Sequence, residues 1–164
     1  MFLRHSVHLS RPCEECVHEL LTDDGAWFPR LVHQTGDRDG ERFAAVGFKA
    51  AGVPLRKRVA VQFGKARRLG SEAEVELAWQ PTSSGGLLPD FEGKVQVAPV
   101  EPGVTRVIVS GIYKPPLGEL GGQLDQAILN RVAEATVREL AEQIARELDR
   151  LIESRRPSTS ASDS

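Results

Sequence analysis

The stretch Glu72–Trp79, Glu-Ala-Glu-Val-Glu-Leu-Ala-Trp, has the strictest two-residue period in the chain. Ala73, Val75, Leu77 and Trp79 share one face, and the three glutamates share the other with Ala78, which is typical of a β-strand with one buried face. Similar alternation runs through Leu55–Phe63, Phe91–Pro99 and Thr105–Tyr113, with turn residues between the segments. Because connections this short join antiparallel neighbours, Glu41–Lys114 predicts a five-strand meander.

The N-terminal residues predict a strand followed by two short helices. Phe2–Leu9 alternates as a strand does. Pro12 then suits the first position of a helix, and Glu14 and Glu15 would lie in its first turn. A second short helical segment, bent at Pro29, is expected over Ala26–Val32.

After Pro115-Pro116 the pattern changes to that of one long helix, expected from about Gly118 to Ser154 and about 55 Å long. We expect it to cover the sheet rather than form a coiled coil, because its apolar stripe lacks a sustained heptad. The apolar stripe consists of Leu124, Ile128, Val132, Thr136, Leu140, Ile144, Leu148 and Leu151. The Ser-rich residues 154–164 are expected to be a disordered tail, which leaves 1–153 as one domain.

Composition excludes several classes of protein. The chain has 164 residues, of which 40% are hydrophobic and 27% charged, as expected for a single globular domain. No apolar run approaches the roughly 18 residues of a membrane span, and residues 1–10 lack the hydrophobic core of a signal peptide. The formal net charge of −2 argues against a general nucleic-acid binder. We therefore expect a cytoplasmic protein with no integral membrane association, as a monomer or homodimer.

Two junctions carry a resemblance to a known superfamily. Ser10-Arg11-Pro12 enters the first helix, and Gly111-Ile112-Tyr113-Lys114-Pro115-Pro116-Leu117-Gly118 leads into the last. With the order of elements, they resemble the START-like (SRPBCC) superfamily of pollen allergens, lipid-transfer domains and polyketide cyclases. Leu124-Asp125 and the segment Arg131–Thr136 look like its small bacterial members. The resemblance covers about residues 1–153.

The resemblance implies an α+β helix-grip fold: a curved antiparallel sheet of six to seven strands around a long C-terminal helix, with a hydrophobic cavity between them. Small-molecule pockets are mostly apolar with a few placed polar groups. Four polar or aromatic side chains lie in phase with apolar neighbours: His5, Trp79, Tyr113 and Thr136. Each of them also fits the interpretation of an ordinary core residue. The cavity candidates are His5, Trp79, Leu87, Leu88, Val97, Val109, Tyr113, Leu124, Ile128, Val132 and Thr136.

The connection from Thr82 to Pro89 contains Gly85-Gly86 and Leu87-Leu88. Its length and its two leucines fit a lid over the cavity mouth, and they fit equally a long hairpin whose leucines pack on the nearest helix.

Two further patterns have both a functional and a structural interpretation. Cys13 and Cys16, followed by His18, could form half a metal site or a redox pair, but the missing ligands favour the first turn of a helix, where a thiol pKa is lowered. The eight basic residues from Arg42 to Arg68 could form a face for an acidic partner. We favour a solvated strand paired with the glutamates of Glu72–Trp79.

No catalytic, metal or cofactor motif is recognised, so the sequence supports no catalytic residue and no cofactor. The leading hypothesis is binding or transport of a hydrophobic small molecule, such as a lipid, polyketide or isoprenoid-like compound. One alternative is a polyketide cyclase or aromatase that uses the same cavity. Another is a non-enzymatic module that engages a partner protein through the long helix or the basic face.

Overall fold

The computed structural model describes residues 1–22, 25–28, 42–50, 53–81, 90–114 and 126–157. Six strands and two helices make up this part of the chain. In chain order they are β1 (Phe2–Leu9), α1 (Cys13–Thr22), β2 (Arg42–Ala50), β3 (Val53–Leu69), β4 (Glu72–Pro81), β5 (Asp90–Glu101), β6 (Val104–Lys114) and α2 (Gln126–Arg155).

All six strands form one antiparallel sheet in the order β1-β6-β5-β4-β3-β2. The meander β2–β6 is the one that the alternation predicts, and β1 adds to its far side by pairing with β6. The strand count agrees with the lower end of the expected six to seven. Within Glu72–Trp79 the inward positions Ala73, Val75, Leu77 and Trp79 are buried, as the two-residue period requires.

Two tight turns follow from glycines with a positive φ. Gly70 (φ 62°) separates β3 from β4, and Gly103 (φ 80°) follows Pro102 between β5 and β6. Only glycine adopts this region without steric cost, and a proline followed by such a glycine is typical of a type II turn. Irregular register between Phe63 and Ala66, and again between Pro99 and Glu101, adds bends to the sheet.

The backbone of α2 comes closest to the two edges of the sheet. Among the described residues, its backbone approaches the edge strands β1 and β2, and also β6, but not β3, β4 or β5. A helix in contact with both edge strands requires a sheet that curves around it. The sequence expectation of a curved sheet around a long helix is therefore confirmed.

Helix α1 fills one end of the concave side, here called the α1 end. It packs on α2 and on β3, β4, β5 and β6. Arg11, just before α1, donates to Asp149 and Glu153 of α2, both at 2.7 Å. Arg155 at the end of α2 pairs at 2.7 Å with the buried Glu19. These contacts anchor the C-terminal half of α2 to α1.

The helices differ in detail from the expectation. Residues 25–28 form a turn in which the Phe28 amide donates to the Gly25 carbonyl at 3.0 Å, and the rest of the expected second short helix lies outside the described residues. The described part of α2 begins at Gln126 and continues to Arg155, past the expected end at Ser154. The disorder expected for the tail beyond residue 157 also falls outside the described part of the chain. Among the described residues, neither α1 nor α2 combines the length and the hydropathy of a membrane-spanning helix.

Candidate functional site

Three aromatic side chains lie in one row across the concave side of the sheet, opposite the α1 end. Trp79 of β4 is the cross-strand neighbour of Phe91 in β5, which in turn pairs with Tyr113 of β6. Val61 of β3 extends the row on the other side of Trp79. All four side chains are buried. We call this part of the grip the aromatic end; the first turns of α2 reach it, because the Tyr113 hydroxyl donates to the Leu129 carbonyl.

The Trp79 and Phe91 rings are stacked, with centroids 4.2 Å apart and planes 14° apart. The Phe91 ring extends over two cross-strand glycines, Gly93 and Gly111. A Cβ at either glycine would lie 2.6–2.7 Å from a Phe91 ring carbon, closer than any real contact. The two glycines therefore provide the space in which Phe91 lies flat and holds the plane of the Trp79 indole.

Two polar atoms of the aromatic end have weak partners or none. Trp79 Nε1 is buried and has no hydrogen-bond partner among the described residues. The Tyr113 hydroxyl has only a long bond, 3.4 Å, to the Leu129 carbonyl, and burial raises the pKa of Tyr113. Tyr113 therefore remains a neutral phenol and a hydrogen-bond donor. By contrast, Thr136 donates at 2.7 Å to the Val132 carbonyl of its own helix, so its hydroxyl proton is already used.

The other described candidates are distributed along the grip. Val109 is buried halfway down the sheet, and its cross-strand neighbour His5 is half-buried on the edge strand β1. Val97 is buried at the level of Ala73, six residues from the Trp79–Phe91 pair and so about 20 Å from it, at the α1 end. Leu87, Leu88 and Leu124 lie outside the described residues, as does the connection interpreted as a lid or hairpin.

One candidate requires correction. Ile128 is 46% exposed, whereas the next residue, Leu129, is 5% exposed and faces the interior. The expected stripe advanced in steps of four residues, and each such step rotates about 40° past a full helical turn. A stripe drawn in that way drifts off the buried face of α2. Val132 and Thr136, which were also expected to face inward, are buried.

Leu129 and Phe91 are the residues of the aromatic end that the candidate set missed. Phe91 shares the inward phase of Val95 and Val97, and pairing the strands on either side of residues 82–89 would have placed it beside Trp79. Leu129 becomes visible only when the 3.6-residue period is followed through the whole of α2.

The two cysteines belong to the first turns of α1, as the structural interpretation predicted. Among the described residues no group of three or more His, Cys, Asp or Glu side chains is arranged to hold a metal ion. The expectation of a lowered thiol pKa is wrong, because burial raises the pKa of Cys13 and raises that of Cys16 to about 11. The effect of burial on the thiol pKa is therefore larger than the effect of the helix N-terminus.

The outer face of the sheet carries a charged cluster around Glu74. This carboxylate is only 4% exposed and pairs with Lys94 at 2.8 Å and with Arg67, and it also accepts from Gln96 at 3.1 Å. A groove of about 560 Å³ lies beside the cluster, between Gly64, Ala78 and Ser110. The pairing of β3 basic residues with β4 glutamates is thus observed for Arg67 and Glu74. Arg68 instead pairs at 2.6 Å with Glu14 of α1.

Several solved structures superpose on nearly the whole chain. A conserved protein from Geobacillus kaustophilus has a TM-score of 0.56 and 12% identity, covering 94% of this chain and 96% of that chain. The Zhui aromatase/cyclase from Streptomyces sp. R1128 has a TM-score of 0.54 and 16% identity, covering 98% of both chains. Human StAR-related lipid transfer protein 5 has a TM-score of 0.51 and 12% identity, covering 92% of this chain and 76% of that chain.

No protein-family model and no curated protein matches the sequence. The structural similarities, all at low identity, establish the fold alone. The chain has a START-like (SRPBCC) fold, as the two junctions and the order of elements indicated.

Proposed function

We propose that this START-like chain binds a hydrophobic small molecule, such as a lipid, polyketide or isoprenoid-like compound, between its sheet and α2 at the aromatic end. One observation carries the proposal: the backbone of α2 approaches the edge strands and not β3, β4 or β5. The space over the central strands therefore has to be filled by side chains or by a ligand, because protein interiors pack densely.

The two ends of the grip differ in what fills that space. At the α1 end an entire helix lies between α2 and the central strands. At the aromatic end β3, β4, β5, β6 and the first turns of α2 contribute side chains only, and the buried ones are apolar except for the tips of Trp79 and Tyr113. An apolar lining with a few polar groups is the usual composition of a small-molecule pocket.

The structural neighbours are consistent with this proposal. Proteins named as an aromatase/cyclase and as a lipid transfer protein share the fold over most of this chain. Their names describe those proteins; for this chain they support a ligand in the corresponding space.

A filling substitution tests the proposal directly. Ala133, on the buried face of α2, lies one turn after Leu129, whereas Ala145 lies on the part of α2 beside α1. If the aromatic end holds a ligand, Ala133→Phe should fold and lose binding of the hydrophobic dye Nile red. Ala145→Phe, the matched control in the packed end, should lower the melting temperature, because overpacking a filled core is destabilising.

The opposite outcome would support the interaction module instead. If Ala133→Phe destabilises the protein as much as Ala145→Phe, and the wild type does not bind Nile red, the aromatic end is as solidly packed as the α1 end. The alternative of a module that engages a partner protein through the long helix or the basic face would then be favoured.

The cyclase or aromatase alternative is favoured by one observation, the neutral and weakly bonded Tyr113 hydroxyl. A buried phenol can donate a hydrogen bond to a reacting carbonyl. Under this alternative, replacing Tyr113 by Phe and His5 by Gln should abolish turnover of a polyketide-like substrate while binding stays nearly intact. Equal loss of binding and turnover would assign both residues to ligand binding alone.

A further inference from the structure

The indole of Trp79 has a defined orientation and an unused hydrogen-bond donor. Its plane is held by the stacked Phe91 ring, 4.2 Å away, which the glycine pair Gly93 and Gly111 accommodates. Its Nε1–H is buried and has no acceptor among the described residues. Buried indole N–H groups usually have a partner, so this donor is an exception that requires an explanation.

The surroundings restrict the charge of any molecule that could supply the acceptor. Val61, Leu77 and Leu129 are apolar and buried, and burial raises the pKa of Tyr113, which keeps its phenol neutral. The inward-facing residues that β3, β4, β5 and β6 contribute to this row carry no formal charge, and on β2 the cross-strand neighbour of Val61 is Arg42. The N-terminal ammonium at the sheet edge already donates to the Tyr113 carbonyl at 3.0 Å. A carboxylate at Trp79 Nε1 would find no cation among the neighbouring residues of β3 and β5, Val61 and Phe91, and burying an unpaired charge there is very costly.

The Trp79–Phe91 stack also suggests the shape of the bound molecule. Aromatic faces make their largest contact with flat groups, whereas an N–H at the ring edge donates in the plane of the ring. A ligand with a flat apolar part and an uncharged oxygen at its edge would satisfy both the apolar surface and the unpaired donor.

We infer that Trp79 is a specificity-determining residue that donates its Nε1–H to a neutral carbonyl-type oxygen on a flat, hydrophobic ligand. This inference rests on the proposed function, since it names the ligand chemistry of the same site. It distinguishes uncharged aromatic or unsaturated ketones from fatty-acid carboxylates. His5 is not part of the aromatic row. It is half-buried on the edge strand β1, where it pairs with Val109, two residues before Gly111.

The test compares two probes on two proteins. Prodan is an uncharged planar aromatic ketone, and its deoxo analogue has a methylene group in place of the carbonyl. In Trp79→Phe the aromatic ring remains and the donor is removed. Prodan binding should weaken about five- to tenfold, as expected for one lost hydrogen bond, while any change from lost ring volume should be common to both probes. A larger loss for prodan than for its analogue supports the inference, and equal losses overturn it.

Trp27→Phe is the matched control. Trp27 is also fully buried with an unpartnered Nε1, but its ring packs edge-on against Phe28 and Phe63 rather than in the Trp79–Phe91 stack. This variant should leave the ratio of the affinity for prodan to the affinity for its deoxo analogue unchanged. A ratio that falls in Trp27→Phe and not in Trp79→Phe would show that the donor has been assigned to the wrong indole.

A wild-type measurement keeps the inference testable if Trp79→Phe does not fold. The infrared carbonyl stretch of bound prodan should lie below its value in an alkane, because the carbonyl accepts a hydrogen bond; an alkane-like stretch contradicts the inference. Fatty-acid carboxylates should bind more weakly than prodan, and tighter binding contradicts it as well. If the wild type binds neither prodan, nor its analogue, nor Nile red, the proposed function fails. If both prodan and its analogue bind equally to wild type and Trp79→Phe, only the role of Trp79 fails.

Discussion

The carboxylate of Glu74 lies 2.8 Å from Lys94 Nζ on the outer face of the sheet, yet it is as inaccessible to solvent as a core residue. Lys94, Arg67 and Gln96 all donate to it. The Lys94 hydrogen bond, followed by that of Arg67, outweighs burial and lowers the pKa of Glu74. The strand alternation correctly placed Glu74 outward, but outward position and exposure are different properties on this face.

Glu74→Gln should destabilise the protein by about 1.5 kcal/mol, the lower end of the roughly 1.5–3 kcal/mol usual for hydrogen bonds to a charged group. The loss is limited because Lys94 and Arg67 are each about half exposed, 41% and 53%, and can turn toward water. Glu76→Gln, two residues away on the same face but exposed, is the control and should change stability little. Urea unfolding at neutral pH measures both; equal effects of the two variants would contradict the buried pair.

The contribution of Glu74 should depend on pH in one direction. Its pKa is lowered on folding from the ordinary value of 4.5, so the unfolded state binds a proton first as pH falls. The stabilisation is therefore complete above that ordinary value and is lost as pH falls through the lower folded-state pKa. The difference in unfolding free energy between wild type and Glu74→Gln should shrink over this acid range. A difference that grows on acidification would contradict the assigned direction.

The cysteines should be unreactive in the folded protein. Cys16 is fully buried, and its pKa of about 11 leaves roughly one thiolate in a thousand at pH 8. Cys13 is partly exposed, and its pKa is also raised. A thiol-specific disulfide reagent should label Cys13 slowly and Cys16 only after unfolding, with Cys13→Ser and Cys16→Ser identifying each reaction. Two rates equal to that of free cysteine would contradict the burial.

Truncation of the two neighbouring residues Ile128 and Leu129 should destabilise the protein to very different extents. Leu129→Ala removes a buried side chain and should cost about 2–3 kcal/mol, whereas Ile128→Ala removes an exposed one and should cost less than about 0.5 kcal/mol. Thermal unfolding of the pair measures this contrast. If Ile128→Ala lost more stability than Leu129→Ala, Ile128 and not Leu129 would face the interior, as the stripe of four-residue steps predicts.

The end of the domain should lie at Arg155 rather than at residue 153. Arg155 pairs with the buried Glu19 at 2.7 Å and also lies 2.7 Å from His18 Nε2. Arg155→Ala should cost about 2 kcal/mol, less than a fully buried pair because Arg155 is itself 47% exposed. Arg156→Ala, the exposed neighbour, is the control. Chains ending after residue 153 and after residue 156 should differ in melting temperature by a similar margin, and equal stability would contradict the role of Arg155.

Local periodicity predicted most of the fold because each strand has one buried and one solvated face. It assigned the inward phase of Trp79 and Tyr113 and the helical context of Cys13 and Cys16. It could not give the height of a residue along the sheet, since that depends on strand register; Val97 shares a face with Phe91 but lies at the other end. It also could not predict a raised thiol pKa, because the helix N-terminus is local and burial is not. The Trp79–Phe91 stack and the glycine pair beneath it depend on pairing across strands, which one segment read alone does not reveal.

The space between the sheet and α2 at the aromatic end is expected to hold a hydrophobic molecule. Native mass spectrometry of the protein purified from its own host shows whether such a molecule is bound. We expect a population heavier than the polypeptide by the mass of one small molecule, which organic solvent releases and which Ala133→Phe eliminates. A wild-type protein with the mass of the polypeptide alone, which also fails to take up Nile red or prodan, would contradict the claim.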